Sequence, residues 1–128
     1  MLNQSTVTTT KGMTKKLILA DTKNRFAVSC KISNASVEAG EGGKKIILAG
    51  TPLKGDLTSR ETAFQVAASS ADPNIVGIAL DDVDVTAGDA NGNCLIFGFV
   101  DESKLDPTVV SKITTITKAK LPLITFIK

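Results

Sequence analysis

Two apolar runs constrain the fold of this chain more than any other feature. Residues 75–80 read Ile-Val-Gly-Ile-Ala-Leu, and residues 94–100 read Cys-Leu-Ile-Phe-Gly-Phe-Val. Neither run alternates between apolar and polar positions, so neither has a face suited to water. Both are too short for a buried helix. They are expected to be central strands, covered on both sides. Gly77 and Gly98 interrupt them and predict a bulge or the close approach of another backbone. The connection between the runs is acidic and rich in Gly and Asn, with Asn91-Gly92 as a turn signal because both residues tolerate positive φ.

A chain of 128 residues fits one domain with a tail, large enough to fold without disulfide or metal. With no Trp, no Tyr and five Phe, the core must be built from Ile, Val, Leu and Ala. β-Branched residues favour strands. Histidine is absent, which removes the commonest general acid–base and the commonest metal ligand. A net charge of +2 without clustered basic residues or aromatic stacking platforms argues against nucleic acid as a partner. No apolar stretch approaches the length of a membrane span, and residues 17–20 are too short for a signal sequence, so no membrane partner is expected. The expected place of synthesis is a reducing cytoplasm, with Cys30 and Cys94 as free, buried thiols.

Residues 1–20 are read as a flexible N-terminal arm and residues 21–128 as the β-rich domain. The first sixteen residues are Thr-rich and carry three lysines and no acid, with little to bury. The short apolar patch Leu17-Ile18-Leu19-Ala20 either pairs with the domain or docks on a partner. Residues 26–32 alternate, with Phe26, Val28, Cys30 and Ile32 expected to face inward. Further strands are expected at residues 45–50, 62–67 (Phe64 and Val66 inward) and 123–127. Asp106 reads as an N-cap with Pro107 in the first helical position. Val109, Val110, Ile113 and Ile116 then form a weak helical stripe that Pro122 must end. The predicted fold is mainly β, a small barrel or sandwich with one short C-terminal helix.

No motif announces chemistry. Gly50-Thr51-Pro52-Leu53-Lys54-Gly55 has the glycine spacing of a phosphate loop, but Asp56 and Leu57 stand where Lys and Ser/Thr are needed. Asp89-Ala90-Asn91-Gly92-Asn93 begins like a calcium loop and lacks the closing acid. The neighbouring Asp81, Asp82 and Asp84 read as solvated acids, and Asp101-Glu102 as a surface corner. No catalytic, metal-binding or cofactor-binding residue is therefore expected.

Three segments carry a resemblance. They are Leu48-Ala49-Gly50-Thr51-Pro52-Leu53, the stretch 76–86 (VGIALDDVDVT), and the stretch 98–105 (GFVDESKL) just before the C-terminal helix. Together they resemble the head decoration, or capsid-stabilising, proteins of lambda-type tailed bacteriophages, over about residues 44–128. The resemblance implies a β-tulip-type domain, a homotrimer, and a place on the outer surface of the expanded phage capsid. There it would clamp neighbouring copies of the major capsid protein. It also implies an N-terminal arm that orders on the shell, with Thr14, Lys15, Lys16, Leu17, Ile18 and Leu19 as its capsid-binding residues. Two other classes stay open at this point: an oligomeric β-module for ligand binding or tail and head-fibre assembly, and a hydrolase working without histidine.

Overall fold

A computed structural model describes residues 17–21, 23–35, 37–67, 69 and 72–128. The chain is mainly β. Its strands are β1 (Phe26–Ile32), β2 (Ile46–Ile47), β3 (Pro52–Lys54), β4 (Gln65–Val66), β5 (Ile75–Ala79), β6 (Val83–Asp84), β7 (Ala90–Asp101) and β8 (Ile124–Ile127). Two short helices, α1 (Pro107–Val110) and α2 (Thr115–Lys120), lie between β7 and β8. The main sheet runs β1-β7-β5-β3-β4, with β8 added to β7, while β2 and β6 form a separate pair. The sheet stays open and does not close into a barrel.

The two apolar runs do occupy the centre. β7 pairs antiparallel with β1 on one side and β5 on the other, and its second half pairs parallel with β8. Side chains alternate across a sheet. Ile78 and Leu95, register partners, therefore join one apolar cluster, while their neighbours Ala79 and Cys94 join the other. One cluster gathers Ile75, Val100, Leu105, Val109, Leu121 and Ile124 under the helices. The other gathers Ile32, Ile47, Leu53, Phe64, Val83 and Val85. This two-sided burial is why residues 75–80 and 94–96 show no alternation; from Phe97 onward β7 turns one face outward.

Gly77 marks the close approach expected of it. A Cβ there would overlap the Leu95 carbonyl oxygen and sit 2.6 Å from Cys94 Sγ. The turn expected at Asn91-Gly92 is not a turn. Both residues lie inside β7, opposite Lys31 and Cys30. Gly92 is needed for space, since a Cβ would meet Ile32 Cδ1 at 2.7 Å and Val83 Cγ2 at 3.0 Å. The reversal falls earlier, where the Gly88 N–H donates to the Val85 carbonyl at 3.2 Å.

The expected strand at 45–50 shrinks to Ile46–Ile47. After it, the Thr51 N–H and hydroxyl both donate to the Leu48 carbonyl, turning the chain. Gly50 sits in that turn with φ of 95°, and its missing Cβ leaves room for Leu105 Cδ2. The strand expected at 62–67 keeps only Gln65–Val66, although Phe64 is fully buried and bridges Ile32.

The single C-terminal helix becomes two. Asp106 caps α1 as expected, accepting from the Thr108 N–H at 2.9 Å, with Pro107 at the first position. The run of threonines then breaks the helix. Thr114 caps α2, its hydroxyl accepting from the Thr117 N–H while the Thr117 hydroxyl accepts from the Thr114 N–H, each at 3.3 Å. Short polar side chains that bond the backbone compete with helix continuation and favour a new cap.

Candidate functional site

The residues singled out for contact with a shell separate in the structure. Thr14, Lys15 and Lys16 lie outside the described residues. Leu17 is 51% exposed. Ile18 and Leu19, by contrast, are core residues with almost no accessible surface. Leu19 bridges Val100, the Asp101 N–H donates to the Ile18 carbonyl at 2.9 Å, and the Ala20 N–H donates to the Phe99 carbonyl at 2.8 Å. Residues 18–20 thus extend the β1 edge of β7, and the boundary drawn at residue 20 cuts through the domain. Of the two routes left open for this patch, the structure takes pairing with the domain. Ile18 and Leu19 could reach a partner only by leaving the core.

The acids between the apolar runs are used locally. Asp82 accepts from the Ala49 N–H at 2.7 Å and ties the 48–51 turn to the end of β5. Asp89 accepts from the Asn34 N–H at 3.0 Å. Asp84 accepts from the Thr86 N–H, and the Thr86 hydroxyl followed by that N–H holds its carboxyl below the usual range. Asp101 is likewise held low by the Ser103 hydroxyl and then the Ser103 N–H. Glu102 pairs with Lys118 at 2.7 Å, and the same ammonium lies 5.4 Å from the Phe126 ring centre. Among the described residues no three His, Cys, Asp or Glu side chains are placed to hold a metal ion. No helix among them is long and apolar enough to cross a membrane.

Cys30 and Cys94 are both buried and free. Burial raises both thiols, and Cys94 is pushed up to about 12, with the nearby Cys30 adding to the effect. A thiol raised in the folded state stays protonated while the unfolded chain would ionise. Its contribution to stability is therefore complete below the ordinary value of 9.0 and declines as pH rises toward 12. Native protein at pH 8 should resist iodoacetamide at both cysteines, and the urea midpoint should fall above about pH 9. Prompt labelling of Cys94 at pH 8 without unfolding would contradict its burial.

What the structure does present outward is apolar. Phe26 is 57% exposed, Phe97 39% and Leu123 56%. They form one row. Phe26 and Phe97 are register partners across β1 and β7. Gly98 pairs with Ile124 in the parallel ladder and donates to the Leu123 carbonyl, so Leu123 stands beside Phe97 on the same face. The half-buried Phe99 and the exposed Ile127 continue this face along β7 and β8. The alternation along β1 had placed Phe26 inward with Val28, Cys30 and Ile32. Phe26 keeps that face but lies beyond the core: a bulge in β7, where Ile96 is the extra residue between the pairs Ala27–Leu95 and Phe26–Phe97, shifts the β7 alternation so that Phe97 turns outward beside it. Only the pairing register reveals the row, because its members are far apart in sequence.

A cleft of about 640 Å³ lies elsewhere, between β2, β4 and the end of α1. Ile46, Leu48 and Val66 line it together with Glu38 and Lys112. No protein-family model matches the chain, and no curated protein matches it in sequence.

Proposed function

We propose that this chain is a structural virion protein of the phage head-decoration type. It binds the outer surface of the expanded capsid, as a homotrimer, and clamps neighbouring copies of the major capsid protein. The observation that carries this reading is the outward row Phe26–Phe97–Leu123 on a β-rich domain. A contiguous apolar face on a small domain marks a contact surface. Burying each of these side chains would contribute roughly 1.5–3 kcal/mol. Three such faces on one oligomer turn the later contacts into intramolecular ones, which strengthens binding without new residues. The resemblance over residues 44–128 supplies the identity of the partner. The role needs no catalytic group and no cofactor. It places the protein on the outer capsid after synthesis in the host cytoplasm.

The test is binding to emptied, expanded phage heads. The unmodified protein should bind and delay rupture on heating. Phe97→Asp should weaken binding at least tenfold while leaving the circular dichroism spectrum unchanged, because Phe97 already faces solvent. Failure of the unmodified protein to bind or protect heads overturns the reading. Binding to tails or head fibres instead would assign it to an assembly module.

A further inference from the structure

The polar half of the sheet carries a second cleft, of about 640 Å³. Beneath it β1 and β7 pair Ser29 with Asn93 and Lys31 with Asn91. The Lys31 carbonyl accepts from the Phe64 N–H at 2.8 Å, and the Asn93 carbonyl from the Leu80 N–H at 3.0 Å, so both turn away from the opposite strand. These are therefore non-hydrogen-bonded pairs, the kind that brings cross-strand side chains closest. Ser29, Lys31, Asn91 and Asn93 share the face that carries Leu95 further along β7. At Leu95 that face packs into the core. At Ser29, Lys31 and Asn91 it is exposed, and at Asn93 half-buried.

Arg60 reaches this cleft from the outer edge of β1. Its Nη1 donates to the Ser29 carbonyl at 3.1 Å, which anchors the guanidinium and leaves its other N–H groups for a ligand. The ion pairs among the described residues are Lys54–Asp72 and Lys118–Glu102, so neither Arg60 nor Lys31 has an acid partner there. The Ser29 hydroxyl donates to Asn93 Oδ1 at 3.5 Å, which leaves the Asn93 amide N–H groups for a ligand. A guanidinium, an ammonium and amide N–H groups on one cleft are all donors, and two of them are charged. A guanidinium fork takes two oxygens of a phosphate, and an ammonium adds a point charge to a third. Glu61, the acid lining the same cleft, accepts only, and suits a hydroxyl carried beside the phosphate.

We propose that Arg60, Lys31, Asn91 and Asn93 form a binding site for a phosphate group, either the free ion or the ester of a small hydroxylated molecule. The site lies at the Ala90 end of β7, apart from the outward row at Phe97, and does not depend on what that row contacts.

The test is a titration of the full chain with sodium phosphate and with glycerol phosphate, followed by amide NMR shifts at an ionic strength held constant with sodium chloride. Saturable shifts should concentrate at residues 29–31, 60–61 and 91–93. In Arg60→Gln/Lys31→Gln, affinity for both probes should fall by about tenfold or more, because two charge-assisted contacts are lost. Asn91→Asp should weaken both as well, by placing a like charge in the cleft while Arg60 stays. All three side chains are exposed, and the Phe64 amide, bonded to the Lys31 carbonyl, checks that the local fold is kept. Tighter binding of glycerol phosphate identifies an ester as the ligand and equal binding the free ion; both support the site. Shifts that never saturate, that spread over the remaining lysines, or that persist undiminished in both variants overturn it.

Discussion

Replacing Ile18 and Leu19 together by alanine should remove most of the stability of this protein. Both side chains are buried in the cluster beneath the helices, with Leu19 against Val100 and Ile18 tied through its carbonyl to Asp101. Truncating a buried Leu or Ile to Ala costs about 2–5 kcal/mol, and small domains hold only about 5–15 kcal/mol in all. The double variant should show a large fall in urea midpoint or no cooperative transition. Leu17→Ala, at an exposed position, should stay within about 0.5 kcal/mol of the parent. The contrast matters for any binding assay, because a truncation at residue 20 would lose binding of any kind through unfolding. A double variant with an unchanged transition would remove residues 18 and 19 from the core.

Gly77→Ala should be nearly as severe, for the opposite reason. A methyl group at Gly77 would overlap the Leu95 carbonyl oxygen and crowd Cys94 Sγ at 2.6 Å and Ile96 Cδ1 at 3.2 Å. The first obstacle is backbone of the strand at the centre of the sheet, so it cannot swing aside as a side-chain end would. Overpacking typically costs about 1–3 kcal/mol, and this site should lie at or above the upper end. Gly88→Ala is a useful contrast. It has open space around it but a φ of 139°, so any loss there reports backbone strain alone. Equal stability of Gly77→Ala and the parent in chemical denaturation would contradict the approach of β5 to β7.

The local signals that proved readable in the sequence were those decided by nearest neighbours. Asp106-Pro107 starts a helix because a carboxylate cap and a fixed φ act within one turn. The runs at 75–80 and 94–100 become central strands because uninterrupted apolar segments favour burial, on both faces at 75–80 and 94–96 and on one face from Phe97 onward. Tertiary structure alone decided the rest. Asn91-Gly92 carries a turn signal, yet its position opposite Cys30 and Lys31 places it in a strand, where Gly92 makes room for Ile32 and Val83. Leu17-Ile18-Leu19 looks like a sticky patch on an arm, and only the free edge of β7 beyond β1 turns two of the three inward. The outward row follows the same logic. Phe26, Phe97 and Leu123 become neighbours through strand register, and a one-residue bulge in β7 decides which face Phe97 joins. Register is a long-range property set by pairing between distant segments, so composition and periodicity determine that this chain forms a sheet, while the assembled sheet determines which residues face outward.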